Sequence, residues 1–403
     1  MKRHQLKFEL AIAAALLLVV ATSAPSFAGP VGTPGPGVSA QPVAPNLVAV
    51  PSGLVVVMDT HDLRDTTSWN KALKNHSISG VALQIHWSDI EPYTDVPDWS
   101  KLDALFAAAQ KSKKWVHLLI FPGFFTPLWA EQGVQTDRFP LQYGPGKGEL
   151  GTLPMPWDSV YLANWLAFVK ELSDRYGTSS ALRLVAASGP TSVSAEFTLP
   201  NSPADLKQWQ ADGYTPAKYI GAWRTVLTAF ANDFPAQYIS VSQGEGLGIN
   251  DHGKLALGEQ ARTRQAIVEQ ASTTLGHRFA LQSSNVHAGP GPHSPNSKHD
   301  DQFVLGYVGR VVTGFQLRTN ALNNSEVMGA KGDPPLALSR SIALATEPNG
   351  AGQIVNYVEI YEPDVLAPEM QTVLRSAALL CFLGPRTPHG LCVPPATVPP
   401  VRH

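Results

Sequence analysis

Four glutamates of this 403-residue chain, Glu196, Glu245, Glu359 and Glu362, follow or end short apolar runs and stand among aromatic, amide and histidine side chains. Two opposed carboxyl groups can divide acid and base work between them, one protonated and one ionised, which is the requirement for cleaving an acetal. Aromatic rings supply flat faces for sugar C–H groups, and amides, histidines and arginine supply hydrogen bonds to hydroxyls. The candidate contacts of that kind are Asp59, His86, Trp87, Trp157, Glu245, Asn285, His287, Gln316, Arg318, Tyr357 and Tyr361. Glu196 and Glu359 are the candidate catalytic pair. His61, His86 and His287 lack the short spacing of a metal site, so neither a metal nor another cofactor is expected.

Residues this far apart in sequence must be gathered by the fold. Eight segments, 54–59, 80–86, 115–121, 182–188, 238–243, 278–285, 311–318 and 354–361, are short, rich in β-branched or aromatic residues, and followed by longer stretches with helical spacing. Helix starts are marked by Ser100 with Asp103, by Asp158, by Thr215-Pro216 and by Ala367-Pro368-Glu369. Eight alternations without a glycine-rich dinucleotide fingerprint predict an α/β chain folded as a single-domain (β/α)8 TIM barrel rather than an open sheet. Such a barrel does its chemistry at the C-terminal strand ends, where the candidates above fall.

In the last segment Tyr357, Glu359 and Tyr361 share one face, while Val358 and Ile360 share the other, so Glu359 is expected to point into the barrel. Glu362, just before Pro363, is expected to be a solvated loop carboxylate. Asp89 and Glu91 are expected to brace a loop or cap a helix. Phe124, Phe125 and Trp129 are expected where the third strand ends, and a long loop before the third helix is expected to add Tyr143 and Trp157.

Lys2, Arg3 and Lys7 precede the apolar run Leu10–Val20, and Ser26-Phe27-Ala28 offers small residues for signal cleavage. The sequence therefore predicts a signal peptide over 1–28, a Pro/Gly-rich leader over 29–46, the barrel over 47–392 and a Pro-rich tail over 393–403. A secreted or periplasmic monomer follows as the expectation, with no membrane association after cleavage. The balance of 30 basic against 32 acidic residues gives no electrostatic reason for a nucleic-acid partner. Two cysteines, Cys381 and Cys392, are expected to form one disulfide in an exported chain.

The motif QIHWSDIEP at 84–92, followed by DWSKLDALFAAAQKSKKWVHLLIFPGFFTPLWA at 98–130, resembles the second and third βα units of the retaining glycoside hydrolase clan that includes β-galactosidases and many endoglycanases. The resemblance covers about 50 residues in motif and the remainder in architecture. It implies a carbohydrate substrate, an acid/base glutamate after strand four, matched by Glu196, and a nucleophilic glutamate at the end of strand seven. The chain departs from that pattern in having Ala195 where the clan usually has Asn, and Gln316 on strand seven, with Glu359 on strand eight instead. Three readings follow: a shifted strand count with Glu359 as nucleophile, a relocated carboxylate, or a secreted glycan-binding barrel that has lost hydrolysis.

Overall fold

The computed structural model describes residues 46–59, 65–94, 96–142, 144, 146–290 and 300–383. The expected signal peptide, the leader as far as residue 45, His61, Tyr143, Cys392 and the tail lie outside the described residues. Cys381 is described, with its Sγ 3.9 Å from Thr346 Oγ1.

Among the described residues ten strands form: β1 Gly53–Asp59, β2 Ile78–His86, β3 Trp115–Phe121, β4 Thr136–Pro140, β5 Leu150–Pro154, β6 Leu182–Ala186, β7 Tyr238–Ser242, β8 Phe279–Val286, β9 Val312–Leu317 and β10 Tyr357–Tyr361. Eight of them close a parallel barrel in the order β1, β2, β3, β6, β7, β8, β9, β10 and back to β1. The closure places Val55 of β1 opposite Glu359 of β10 and Val57 opposite Tyr361. This is the (β/α)8 TIM barrel, and its strands fall on the eight expected segments with no end moved by more than three residues.

The segment after β3 corrects the expectation of a loop. β4 and β5 pair antiparallel as a hairpin, Phe139 opposite Gly151. Their sequences, TDRFP and LGTLP, are short, polar and proline-ended, which hides them from a search for apolar runs.

Side-chain alternation divides the apolar residues into two cores. Val55, Val57, Ala82, Trp115, Leu119, Leu184, Ala280, Val312 and Tyr357 fill the barrel interior. Leu54, Val56, Val81, Leu83, Val116, Leu118, Ile239, Leu281, Phe315, Val358 and Ile360 face the helices. Gly314 on β9 has a packing reason: a Cβ there would lie 2.1 Å from Tyr357 Cζ, so the phenol ring of the neighbouring strand occupies the space a side chain would need.

The helices begin largely where their caps predict. Asp158 accepts from the amides of Val160 and Tyr161 at 2.9 and 3.0 Å, starting Ser159–Tyr176, and Thr215 accepts from Lys218 N at 3.2 Å, starting Pro216–Asp233. The expected pairing of Ser100 with Asp103 does not form. Trp99 takes the cap position without a side-chain bond, Asp98 accepts from Ser100 N, and Asp103 is held by Arg175 and Tyr176.

Candidate functional site at the barrel mouth

The barrel interior is apolar at most positions, so its polar residues are conspicuous. β10 aims Glu359 inward, fully buried, as strand alternation predicts. Its Oε1 lies 2.6 Å from His117 Nδ1 on β3, and its Oε2 accepts from Gln282 Nε2 of β8 at 2.8 Å. His117 Nε2 lies 2.9 Å from Ser240 Oγ on β7. Tyr357 completes the layer by donating its hydroxyl to Gln282 Oε1 at 2.9 Å. Four strands thus surround one carboxylate with partners, as a group shut away from water requires. His117, Ser240 and Gln282 were not anticipated from sequence. The available signal was a polar residue at an inward-facing position of an otherwise apolar strand.

Directly above this layer lies a hydrogen-bonded row. Gln84 Nε2 donates to Gln316 Oε1 at 2.7 Å, and Gln316 Nε2 donates to the Tyr361 hydroxyl at 2.9 Å. Gln316 stands opposite Glu359 in the register of β9 and β10. Burial, and after it the charges of Glu359, Glu196 and Asp59, push the Tyr361 hydroxyl up to about 12, against the opposing effect of the Gln316 bond. The fields of three carboxyl groups, from β1, β10 and the segment after β6, therefore meet at one phenol. Glu196 arrives there on an extended segment whose backbone bridges to Ser242 at the end of β7. Its side chain is half-buried, whereas Asp59 is exposed at the end of β1.

Around this floor stand the remaining candidates. The His86 ring stacks on Phe125 with centroids 3.6 Å apart and planes 7° from parallel, and its Nδ1 is 3.4 Å from Asp89 Oδ2. His287 is buried, with Nδ1 3.0 Å from the Val327 carbonyl and Nε2 3.1 Å from Arg318 Nη1. Asn285 is half-buried near the end of β8, and Glu245 is exposed in the loop after β7. Glu91 braces the loop after β2 by accepting from Trp87 Nε1 at 3.0 Å.

Three placements differ from the sequence expectation. Trp87, a candidate sugar contact, is completely buried against Trp129, Trp165 and Phe168 in the outer core, because it opens the short helix Trp87–Ile90 that follows β2. Trp157 joins Trp209 and Tyr214, with Lys218 Nζ 5.6 Å above its ring, in a cluster beside the β4–β5 hairpin. Glu362 is buried, not solvated, and opens the short helix Glu362–Leu366. In that same helix Asp364 accepts from Ala321 N and Leu322 N, both at 2.8 Å; burial nevertheless pushes it up to about 6. Among the described residues no cluster of three His, Cys, Asp or Glu side chains forms a metal-binding group, and no helix is long and apolar enough to cross a membrane.

No family model matches the sequence, and no curated protein matches it. Among solved structures, the catalytic domain of β-amylase from Paenibacillus polymyxa superposes with a TM-score of 0.52 at 10% identity, over 80% of this chain and 95% of that one. A β-galactosidase from the psychrophilic Marinomonas ef1 gives 0.49 at 12% identity, over 81% of this chain and 59% of its own. An exo-β-1,4-mannosidase from Opitutaceae bacterium strain TAV5 gives 0.40 at 13%, over 77% and 52%. The chain thus spans less than two thirds of the β-galactosidase and of the mannosidase. At these identities the likeness is one of fold.

Proposed function

We propose that this chain is an exported glycoside hydrolase working at the C-terminal mouth of its barrel, with Glu196 as the acid and Glu359 as the ionised partner. The observation that carries the reading is the inward-facing Glu359 on β10, hydrogen-bonded to His117 and Gln282 and in register with Gln316, whose amide joins Gln84 to the Tyr361 hydroxyl. Glu359 is held at both oxygens, Oε1 by His117 Nδ1 at 2.6 Å and Oε2 by the Gln282 amide at 2.8 Å. Glu196 is half-buried between Ala195 and Phe197 beside the end of β7, and its charge acts on Tyr361 of the Gln84–Gln316–Tyr361 row. A sugar seated there would be protonated on its leaving oxygen by Glu196 while Glu359 opposes the positive charge developing at the ring. The stacked His86–Phe125 pair offers a flat wall for such a ring. The fold shared with a β-amylase catalytic domain is compatible with this assignment. The basic and apolar start of the sequence, with Ser26-Phe27-Ala28, supports export.

The test is turnover of a panel of aryl glycosides. Wild type should cleave at least one, and Glu196→Gln should lower kcat/KM by about 10²- to 10⁴-fold, with much of the loss recovered on dinitrophenyl leaving groups that need no proton. Glu359→Gln should be inactive on every leaving group. A wild type that binds oligosaccharides but cleaves none of the panel would replace this reading with that of a glycan-binding barrel.

A further inference from the structure

Arg318 follows β9 directly, two residues beyond Gln316, and so reaches the mouth from an inward-facing position. Arg183 is the one other Lys or Arg within or next to the ends of β6 to β10 on the barrel's parallel strands, apart from Arg278 before β8. Arg278 spends its guanidinium on the carbonyls of Phe234, Gln237 and Ala231. Arg318 is different: it is exposed, and among the described residues its side chain has His287 as its partner and no carboxylate.

That partner is unusual for a guanidinium. The Val327 carbonyl is an acceptor, so the proton of His287 sits on Nδ1, and Nε2 is left as an acceptor for Arg318. The imidazole is therefore neutral, buried and fixed at both nitrogens. It orients Arg318 without cancelling its charge. One N–H is used in this contact, and the other four donors of the exposed guanidinium have no partner among the described residues. Asp59 and Glu196 make the same mouth hostile to anions, so an oriented cation there with no carboxylate partner among the described residues has a use if the ligand brings negative charge to that edge.

We infer that Arg318, held by His287, receives the carboxylate of a hexuronic acid unit, so that the substrate of this site is an acidic glycan. The inference rests on the glycoside hydrolase reading for the cleavage step, and on the Arg318 geometry alone for the preference. A planar carboxylate matches the remaining fork as a bidentate pair, which a neutral hydroxymethyl group at the same position cannot do. His287 is a positioning residue, since it acts through Arg318.

The experiment compares each aryl hexuronide with the aryl hexoside that differs from it only at C6, together with calorimetric titration of glucuronic and galacturonic acid against glucose and galactose. Wild type should prefer the acidic member by roughly 10- to 100-fold in kcat/KM, and the preference should shrink as salt rises. Arg318→Ala should bring the ratio close to one, and Arg318→Lys should retain a part of it, because charge survives but the fork does not. Neutral hexosides cleaved as well as hexuronides, with a ratio unmoved by Arg318→Ala, would overturn the inference and leave the hydrolase reading standing. If no aryl glycoside is cleaved, the hydrolase reading fails by itself and the titrations decide: selective binding of the uronic acids that Arg318→Ala abolishes sustains the acidic-ligand site, and equal or absent binding of acidic and neutral sugars ends it.

Discussion

His117 Nδ1 and Glu359 Oε1 stand 2.6 Å apart at a level of the barrel where neither residue reaches solvent. Withdrawing a carboxylate from water costs several kcal/mol, and the pair tolerates this because His117, Gln282, Ser240 and Tyr357 satisfy its polar atoms in one connected set. Removing one partner should therefore cost more than replacing it with a group that keeps hydrogen-bonding atoms in place. His117→Ala is expected to lower stability by about 3–5 kcal/mol in urea denaturation, whereas Glu359→Gln, which keeps an acceptor and a donor at the same site, should cost clearly less. Equal midpoints for His117→Ala and wild type would mean the layer contributes nothing to the fold.

The neighbouring Tyr357 gives a narrower test of the same layer. Its hydroxyl is the donor to Gln282 Oε1, and its ring fills the room left by Gly314. Tyr357→Phe should leave a buried amide oxygen without that donor and cost about 1–3 kcal/mol. Gly314→Ala forces a methyl group against the ring and should cost at least about 1–3 kcal/mol, more if the ring cannot yield. Combining the two should recover none of the loss, since the clash involves ring carbons rather than the hydroxyl; thermal unfolding of the three variants checks this.

Tyr361 links the buried layer to the mouth. With its hydroxyl pushed up to about 12, the phenol stays protonated through the neutral range and acts as a neutral hydrogen-bonding group. Tyr361→Phe should lower kcat on aryl glycosides by about 10- to 100-fold and leave Gln316 Nε2 without its acceptor, with KM changing less than kcat. The pH profile below about pH 10 should keep its shape in this variant, because the group removed does not titrate there. A lost alkaline limb in Tyr361→Phe would instead make the phenol an ionising participant.

Much of this architecture was legible in the sequence because a parallel barrel writes its strands as apolar runs. WVHLLIF, at 115–121, was located to the residue, and the inward direction of Glu359 followed from counting alternate positions in YVEIY. The same counting applied to His117 and Gln282 would have found the partners of Glu359, but attention to strand ends passes over polar residues at strand centres. The hairpin was missed for a different reason: TDRFP and LGTLP obtain their order from packing, with Phe139 stacked on Trp209, and not from their own composition. Trp87 misled because the end of β2 at His86 was placed correctly but the next residue opens the short helix Trp87–Ile90, which turns its indole into the outer core instead of the mouth.

That hairpin also carries a pH-sensitive contact. Asp137 of β4 accepts from Gln208 of the helix Pro203–Ala211, and its carboxylate lies beside Asp212, the residue that ends the same helix. Burial first, and then the negative charge of Asp137, push Asp212 up to about 6 from its ordinary 3.8. A carboxyl whose pKa is raised on folding holds its proton in the folded chain between those two values while the unfolded chain releases it. The stabilising contribution is therefore complete below about pH 4 and is withdrawn as pH climbs through about 6. Asp212→Asn is uncharged at every pH and should remove this dependence. Urea midpoints measured at pH 5 and pH 7.5 should fall more steeply for wild type than for Asp212→Asn, and the variant should be the more stable of the two at pH 7.5. Parallel midpoints at the two pH values would show that Asp212 titrates as an ordinary surface carboxylate and that the hairpin is held by its aromatic packing alone.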